Sequence, residues 1–159
     1  MSLAYVGLGA NLGDAHAALQ AAFDALAALP DTELLRRSAV YRSAPIDSSG
    51  PDYLNAVAEL RTTLAPLALL HRLQAIELAQ GRERPYRNAP RTLDLDLLLY
   101  DELVQGDAEL TLPHPRAHQR AFVLRPLAEL APDLLVPGQG RVAELLPAVS
   151  DQSIERLPT

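Results

Sequence analysis

The chain reads as an α+β sandwich, a largely antiparallel sheet flanked by helices, and three observations lead there. Residues 53–62 alternate with the period of a strand, Leu54, Ala56, Ala58 and Leu60 on one face and Tyr53, Asn55, Glu59 and Arg61 on the other. Two stretches with helical spacing, 14–29 and 66–80, stand apart from that strand and from each other. The succession is strand, helix, strand, strand, helix, strand, followed by C-terminal additions. That is the order of a ferredoxin-like βαββαβ sandwich.

Each element has a local reason. Residues 3–9 form a short apolar run that reads as a buried strand. Asp14 is placed to cap a helix reaching about Leu29, with Leu19, Ala22, Phe23 and Leu26 on one face, and Pro30-Asp31 stops it. Residues 33–41 read as one strand that runs into a Pro- and Ser-rich loop over 44–51, a ligand-facing candidate. Pro66 suits the first turn of the second helix, Leu70, Leu73 and Ile76 face inward, and Gly81 ends it. A strand over 93–100 follows, then a short element at 109–112, a helix through Phe122 to Ala131, one helical turn at 142–146 and a last short strand.

Composition narrows the function. A chain of 159 residues with 48% apolar and 21% charged residues is one ordinary globular domain. There is no cysteine, which removes disulfides, thiolate metal sites and a thiol nucleophile. All 14 basic residues are arginine, so neither a Schiff-base lysine nor a P-loop lysine is available. A net charge of −6 disfavours general nucleic-acid binding but leaves room for a local anion pocket. The N-terminus has no basic leader, and the apolar stretch at 17–29 is too short and too interrupted to span a bilayer. The expectation is a cytoplasmic monomer acting on small molecules, with no nucleic-acid or membrane partner.

The densest chemical signal lies at 82–96, where Arg82, Arg84, Arg87 and Arg91 run into Asp94 and Asp96. On a strand those two aspartates share a face, while Leu93, Leu95 and Leu97 take the other. Two carboxylates roughly 5 Å apart repel by about 3 kcal/mol at an effective dielectric of about 20. Magnesium relieves that repulsion, taking one or two carboxylates together with substrate phosphates, which arginines grip in bidentate fashion. The plain alternative is a solvated edge strand beside a solubilising loop. Tyr53 and Asn55 share a face and suit a flat heterocycle, or are an ordinary strand pair. His114, held between Pro113 and Pro115, reaches a phosphate or closes a turn; Arg116 and Arg120 extend an anion site or stay solvated. The segment from Gly7-Leu-Gly9 to Asp14 fails the dinucleotide fingerprint because Leu12 takes the third glycine position, and reads instead as a tight strand-to-helix turn that leaves room for a ligand.

Taken in order, these segments resemble the 6-hydroxymethyl-7,8-dihydropterin pyrophosphokinases. The resemblance rests on the 9–14 turn, Tyr41-Arg42-Ser43-Ala44-Pro45, Pro51-Asp52-Tyr53-Leu54-Asn55-Ala56, Arg82-x-Arg84, Pro90-Arg91-Thr92-Leu93-Asp94-Leu95-Asp96 and Pro113-His114-Pro115-Arg116. It implies transfer of pyrophosphate from ATP to the pterin hydroxymethyl group, with release of AMP, in folate biosynthesis. It also implies a ferredoxin-like fold. By position, Asp94 and Asp96 would hold two magnesium ions, and Arg82 and Arg91 would be the catalytic arginines. Gln74, Glu77, Arg84, Leu97, Thr111, His114 and Arg120 would contact the nucleotide. Ser43, Ala44, Ile46, Tyr53, Asn55 and Phe122 would bind the pterin, with the ring between Tyr53 and Phe122. The 82–90 segment, which lacks apolar periodicity, is the candidate lid. Many members carry Trp-Gly where this chain has Asn88-Ala89, and Tyr86 is the nearest aromatic substitute. A different metal-dependent nucleotidyltransferase, or a non-catalytic ligand-binding module, would use the same residues otherwise.

Overall fold

The computed structural model describes residues 1–11, 14–44, 52–80 and 93–158. Its centre is an antiparallel sheet in which β1 (Ser2–Ala10) lies between β4 (Tyr53–Thr62) and β5 (Asp94–Tyr100). The outer side of β4 is shared by β2 (Thr32–Arg37) and β3 (Tyr41–Ser43), which pair with different parts of it. The last strand, β10 (Ile154–Arg156), joins β3 and closes the sheet at that edge. Two short hairpins lie apart from it: β6 (Gln105–Gly106) with β7 (Thr111–Leu112), and β8 (Leu135–Val136) with β9 (Gly140–Arg141).

Helices α1 (Ala15–Ala27) and α2 (Pro66–Ala79) contribute to one apolar cluster, which takes Ala4, Val6, Leu8 and Ala10 from β1 and Leu54, Ala56, Ala58 and Leu60 from β4. Leu93, Leu95 and Leu97 join the same side. Asp14 caps α1, its Oδ1 accepting the Ala17 N–H at 3.0 Å. In α2 the deepest side chains are Leu69, Leu73, Ile76 and Glu77, while Leu70 is only half-buried, so the helix is rolled slightly from the expected face.

The other face of the sheet is covered by α3 (Ala121–Leu130), which makes a second cluster with Tyr5, Val57, Leu98 and Leu99. α4 (Val142–Leu145) extends that layer. Pro126 sits inside α3, and its missing N–H leaves the Phe122 carbonyl without the usual helical donor. Burial on both sides explains why β4 reads as almost wholly buried despite its alternating sequence.

Two departures from the expected elements have local causes. The single strand expected over 33–41 is divided, because Ser38 interrupts the ladder with its own side chain. Its Oγ accepts the Val57 N–H at 2.9 Å, and its N–H donates to the Val57 carbonyl at 2.9 Å. Glu129 of α3 then secures the next residues, accepting the Ala39 N–H and the Tyr41 hydroxyl, the latter at 2.8 Å. In β5 the pairing with β1 skips Leu98, since Val6 faces Leu97 and Tyr5 faces Leu99. That bulge turns Leu98 and Leu99 both toward α3 and lets the apolar run 97–100 bury on two faces.

Candidate active site

The site begins at the middle of the sheet. Tyr5, Gly7 and Gly9 follow one another on the α3 face of β1, and the last two present no side chain there. Gly9 lies between Asn55 of β4 and Asp94 of β5; Gly7 lies between Val57 and Asp96. A Cβ on Gly9 would meet Asn55 Oδ1 at 3.7 Å and Tyr53 Cδ1 at 4.0 Å, so the backbone there is open to whatever occupies the space above. Glycine in a strand interior often marks such a close approach by a ligand.

Above this floor is a cavity of about 340 Å³, within the size range of small-molecule sites. Tyr53, Asn55, Ser43 and Ala44 line one side, and Phe122, Val123 and Arg120 the other. Asn55 is only 3% exposed, and its Nδ2 donates to Ser43 Oγ at 2.7 Å, which fixes the amide plane. The Arg120 guanidinium lies 5.4 Å from the centre of the Phe122 ring, a cation–π contact. A second, more open cavity of about 620 Å³ adjoins the first across Phe122 and Arg120, and is lined further by Arg116, Gln119 and Gln152.

Asp94 and Asp96 close the cavity from β5, with Leu95 between them turned into the core. Glu77 approaches that segment from α2: its Oε2 accepts the Leu95 N–H at 2.8 Å, holding the peptide between the two aspartates from the edge not paired with β1. His114 follows a cis Leu112–Pro113 bond, and its N–H donates to the Leu98 carbonyl at 2.9 Å. Burial lowers the pKa of His114; the charge of Asp96 opposes that and the charges of Arg120 and Arg116 add to it. That direction favours the neutral imidazole near pH 7. Among the described residues no three His, Cys, Asp or Glu side chains are grouped to hold a metal. Two carboxylates without histidine or thiolate are the donor set of magnesium, whose shell is completed by water and phosphate oxygens.

Of the residues singled out from sequence, Ser43, Ala44, Tyr53, Asn55, Asp94, Asp96, Arg120 and Phe122 meet around the one cavity. His114 is beside it, within the fields of Asp96 and Arg120. Four others lie off the cavity wall: Gln74 is exposed on α2, Glu77 is buried on α2 against the Leu95 backbone, Thr111 is exposed on β7, and Leu97 is buried on the opposite face of β5. Arg82, Arg84, Arg91 and Ile46 lie outside the described residues, as do Tyr86 and the rest of the 82–90 segment. Sequence reasoning missed Leu98 and Val123, and it read Gly7 and Gly9 as part of a tight turn leaving room for a ligand, whereas both lie inside β1 on the cavity floor. For the glycines the signal was present, since two glycines spaced by two in a strand bare one patch of one face.

Comparison with known proteins bears on what this arrangement serves. The model of the 7,8-dihydro-6-hydroxymethylpterin-pyrophosphokinase (HPPK) family matches residues 5–132. A 2-amino-4-hydroxy-6-hydroxymethyldihydropteridine pyrophosphokinase of Pseudomonas aeruginosa is 50% identical over 155 residues, 97% of this chain and 96% of that one. The enzyme of the same name from Haemophilus influenzae is 44% identical over 159 residues, covering 99% of each. Among solved structures, a Plasmodium falciparum HPPK-DHPS superposes with a TM-score of 0.74 at 12% identity. That match covers 92% of this chain and 45% of the other, and speaks for the fold alone. Matching the family across most of its length, the chain belongs to the 7,8-dihydro-6-hydroxymethylpterin-pyrophosphokinases.

Proposed function

We propose that this chain transfers pyrophosphate from ATP to the hydroxymethyl group of 6-hydroxymethyl-7,8-dihydropterin, yielding the pterin diphosphate and AMP in folate biosynthesis. One observation carries the reading beyond family membership. A cavity lined by Tyr53, Asn55 and Phe122 opens onto a pair of carboxylates across the bare backbone of Gly9.

The pterin ring would lie between Tyr53 and Phe122, with Asn55 reading one polar edge. Neighbouring strands are about 4.8 Å apart, so from Asn55 across Gly9 to Asp94 spans roughly 10 Å at the backbone. A ring held over Gly9 thus directs its hydroxymethyl arm toward the carboxylates. The hydroxyl oxygen attacks the β-phosphorus, the bond from that phosphorus to the α-phosphate oxygen breaks, AMP leaves, and the hydroxyl proton passes to water. Asp94 and Asp96 would hold two magnesium ions, which when bound neutralise polyphosphate charge. Arg120 and neutral His114 would contact phosphate oxygens. Arg82 and Arg91 are assigned to charge neutralisation, and Arg84, Gln74, Glu77, Leu97 and Thr111 to the nucleotide, on sequence correspondence. Ser43, Ala44 and Ile46 complete the pterin side. Phosphoryl-type transfer depends on positioning and charge more than on covalent chemistry, so a chain lacking cysteine and lysine is well equipped for it.

The reading extends to the whole chain as one domain, residues 1–159, acting as a cytoplasmic monomer. Two helices over one face and the strand order β5-β1-β4 with β2 beside β4 support the ferredoxin-like description. No described helix is long and apolar enough to cross a membrane, and the net charge of −6 disfavours nucleic acid as a partner. Product analysis tests the function: AMP should accumulate only with ATP, magnesium and the hydroxymethyl pterin together. ADP would mean attack at the γ-phosphorus, and free pyrophosphate would mean nucleotidyl transfer; either refutes the proposal.

A further inference from the structure

We infer that the C-terminal segment around Gln152 belongs to the working site, with Gln152 the positioning residue for Arg120 and Phe122. The inference rests on the pyrophosphokinase reading of the cavity those residues line. Helix α3 starts at its wall, yet Arg120, the residue at its N-cap, makes no side-chain cap hydrogen bond. The cap comes from 31 residues away instead. Gln152 Oε1 accepts the Ala121 N–H at 2.9 Å, and its Nε2 donates to the Gln119 carbonyl at 2.8 Å. One primary amide, carrying the same donor and acceptor as a peptide group, therefore grips the backbone on both sides of Arg120.

Two residues further on, the chain reaches the opposite wall. Ile154 of β10 pairs with Ser43 of β3, next to Ala44 and within hydrogen-bond reach of Asn55. The stretch from Gln152 to Arg156 thus ties the Phe122 side of the cavity to the Ser43 side, and fixes the gap into which a ring must slide. The family match ends at residue 132, so this brace lies beyond it. A wall that loses its brace populates the binding-competent spacing less often, and apparent affinity falls by that fraction.

In the full-length chain, Gln152→Ala should raise the KM for the hydroxymethyl pterin about fivefold while kcat stays within about twofold, and loss of the cap should lower the thermal midpoint by about 2–4 °C. Gln152→Glu keeps the acceptor for Ala121 but cannot donate to Gln119, and should fall between the two; it also supplies the comparison if the alanine variant folds poorly. A wild-type KM in both variants, with only the thermal midpoint lowered, would make Gln152 a purely structural residue and overturn the inference. If the wild-type chain forms no AMP, the parent reading falls separately. Equilibrium binding of the pterin to wild type and Gln152→Ala then decides this one, and equal affinities refute it.

Discussion

Ala4, Val6, Leu8 and Ala10 of β1 belong to the apolar cluster shared with α1 and α2, whereas Tyr5, Gly7 and Gly9 of the same strand look toward α3 and the cavity. The first set is packed against methyl and methylene groups throughout. The second has one partnered polar side chain, Tyr5, followed by two glycines. Along β4 the contrast repeats: Leu54, Ala56, Ala58 and Leu60 against Tyr53, Asn55, Val57 and Glu59. Both faces of the sheet bury apolar side chains, and the α3 face also holds the cavity. Substitutions at the cavity and on the opposite face should therefore separate turnover from stability.

The largest effect is expected at the carboxylates. Asp94→Asn and Asp96→Asn should each lower magnesium-dependent kcat by roughly a hundredfold or more, as loss of a preorganised electrostatic group does. Their denaturant midpoints should stay near wild type. Steady-state rates at saturating magnesium check this, and a near-normal rate in either variant would break the contrast from the functional side.

On the opposite face, Leu73→Ala should cost about 2–5 kcal/mol of unfolding free energy, the range for a buried leucine left as a cavity. Leu73 is fully buried in the apolar cluster shared by α1, α2 and the sheet, and does not line the cavity. Urea unfolding measures the loss; KM for both substrates should be unchanged in the fraction that remains folded.

A smaller effect concerns the one buried charge on the α3 face of β4. Glu59 is 6% exposed and accepts hydrogen bonds from Arg36 at 2.9 Å and from the Tyr5 hydroxyl. The Arg36 hydrogen bond lowers its pKa, burial opposes that, and the Tyr5 bond lowers it again. Its stabilising contribution is full above the ordinary carboxylate range and is lost as pH falls through the depressed folded value. Glu59→Gln should flatten the decline of the urea midpoint between about pH 5 and pH 3. An unchanged slope would show that the trio contributes nothing to acid stability. At the other extreme, burial and the Glu129 bond push the Tyr41 hydroxyl up to about 12. Its share of stability is present below the ordinary tyrosine range and lost above it, so Tyr41 should ionise late in an alkaline absorbance titration.

The sequence was most readable where one periodicity had one cause. The α1 face of Leu19, Ala22, Phe23 and Leu26 and the alternation of 53–62 both followed from burial against a single layer. It was least readable where a side chain imitates backbone. Ser38 divides a strand by accepting a ladder N–H, and Gln152 caps a helix across 31 residues; neither leaves a periodic trace. The bulge at Leu98 is hidden within a run of leucines, where no alternation exists to be broken. At the site, Asp94, Asp96, Tyr53 and Asn55 were found because period-two spacing fixes a shared face. The glycines between them were read as part of a turn, although they lie inside β1, because an absent side chain looks like a turn until its neighbours are known.

The most direct test is a crystal structure with a non-hydrolysable ATP analogue, magnesium and the hydroxymethyl pterin. The pterin ring should stand between Tyr53 and Phe122 over Gly9, with metal ions against Asp94 and Asp96 and the polyphosphate beside them. A ring bound elsewhere, or those two aspartates bare of metal while nucleotide is present, would contradict the account.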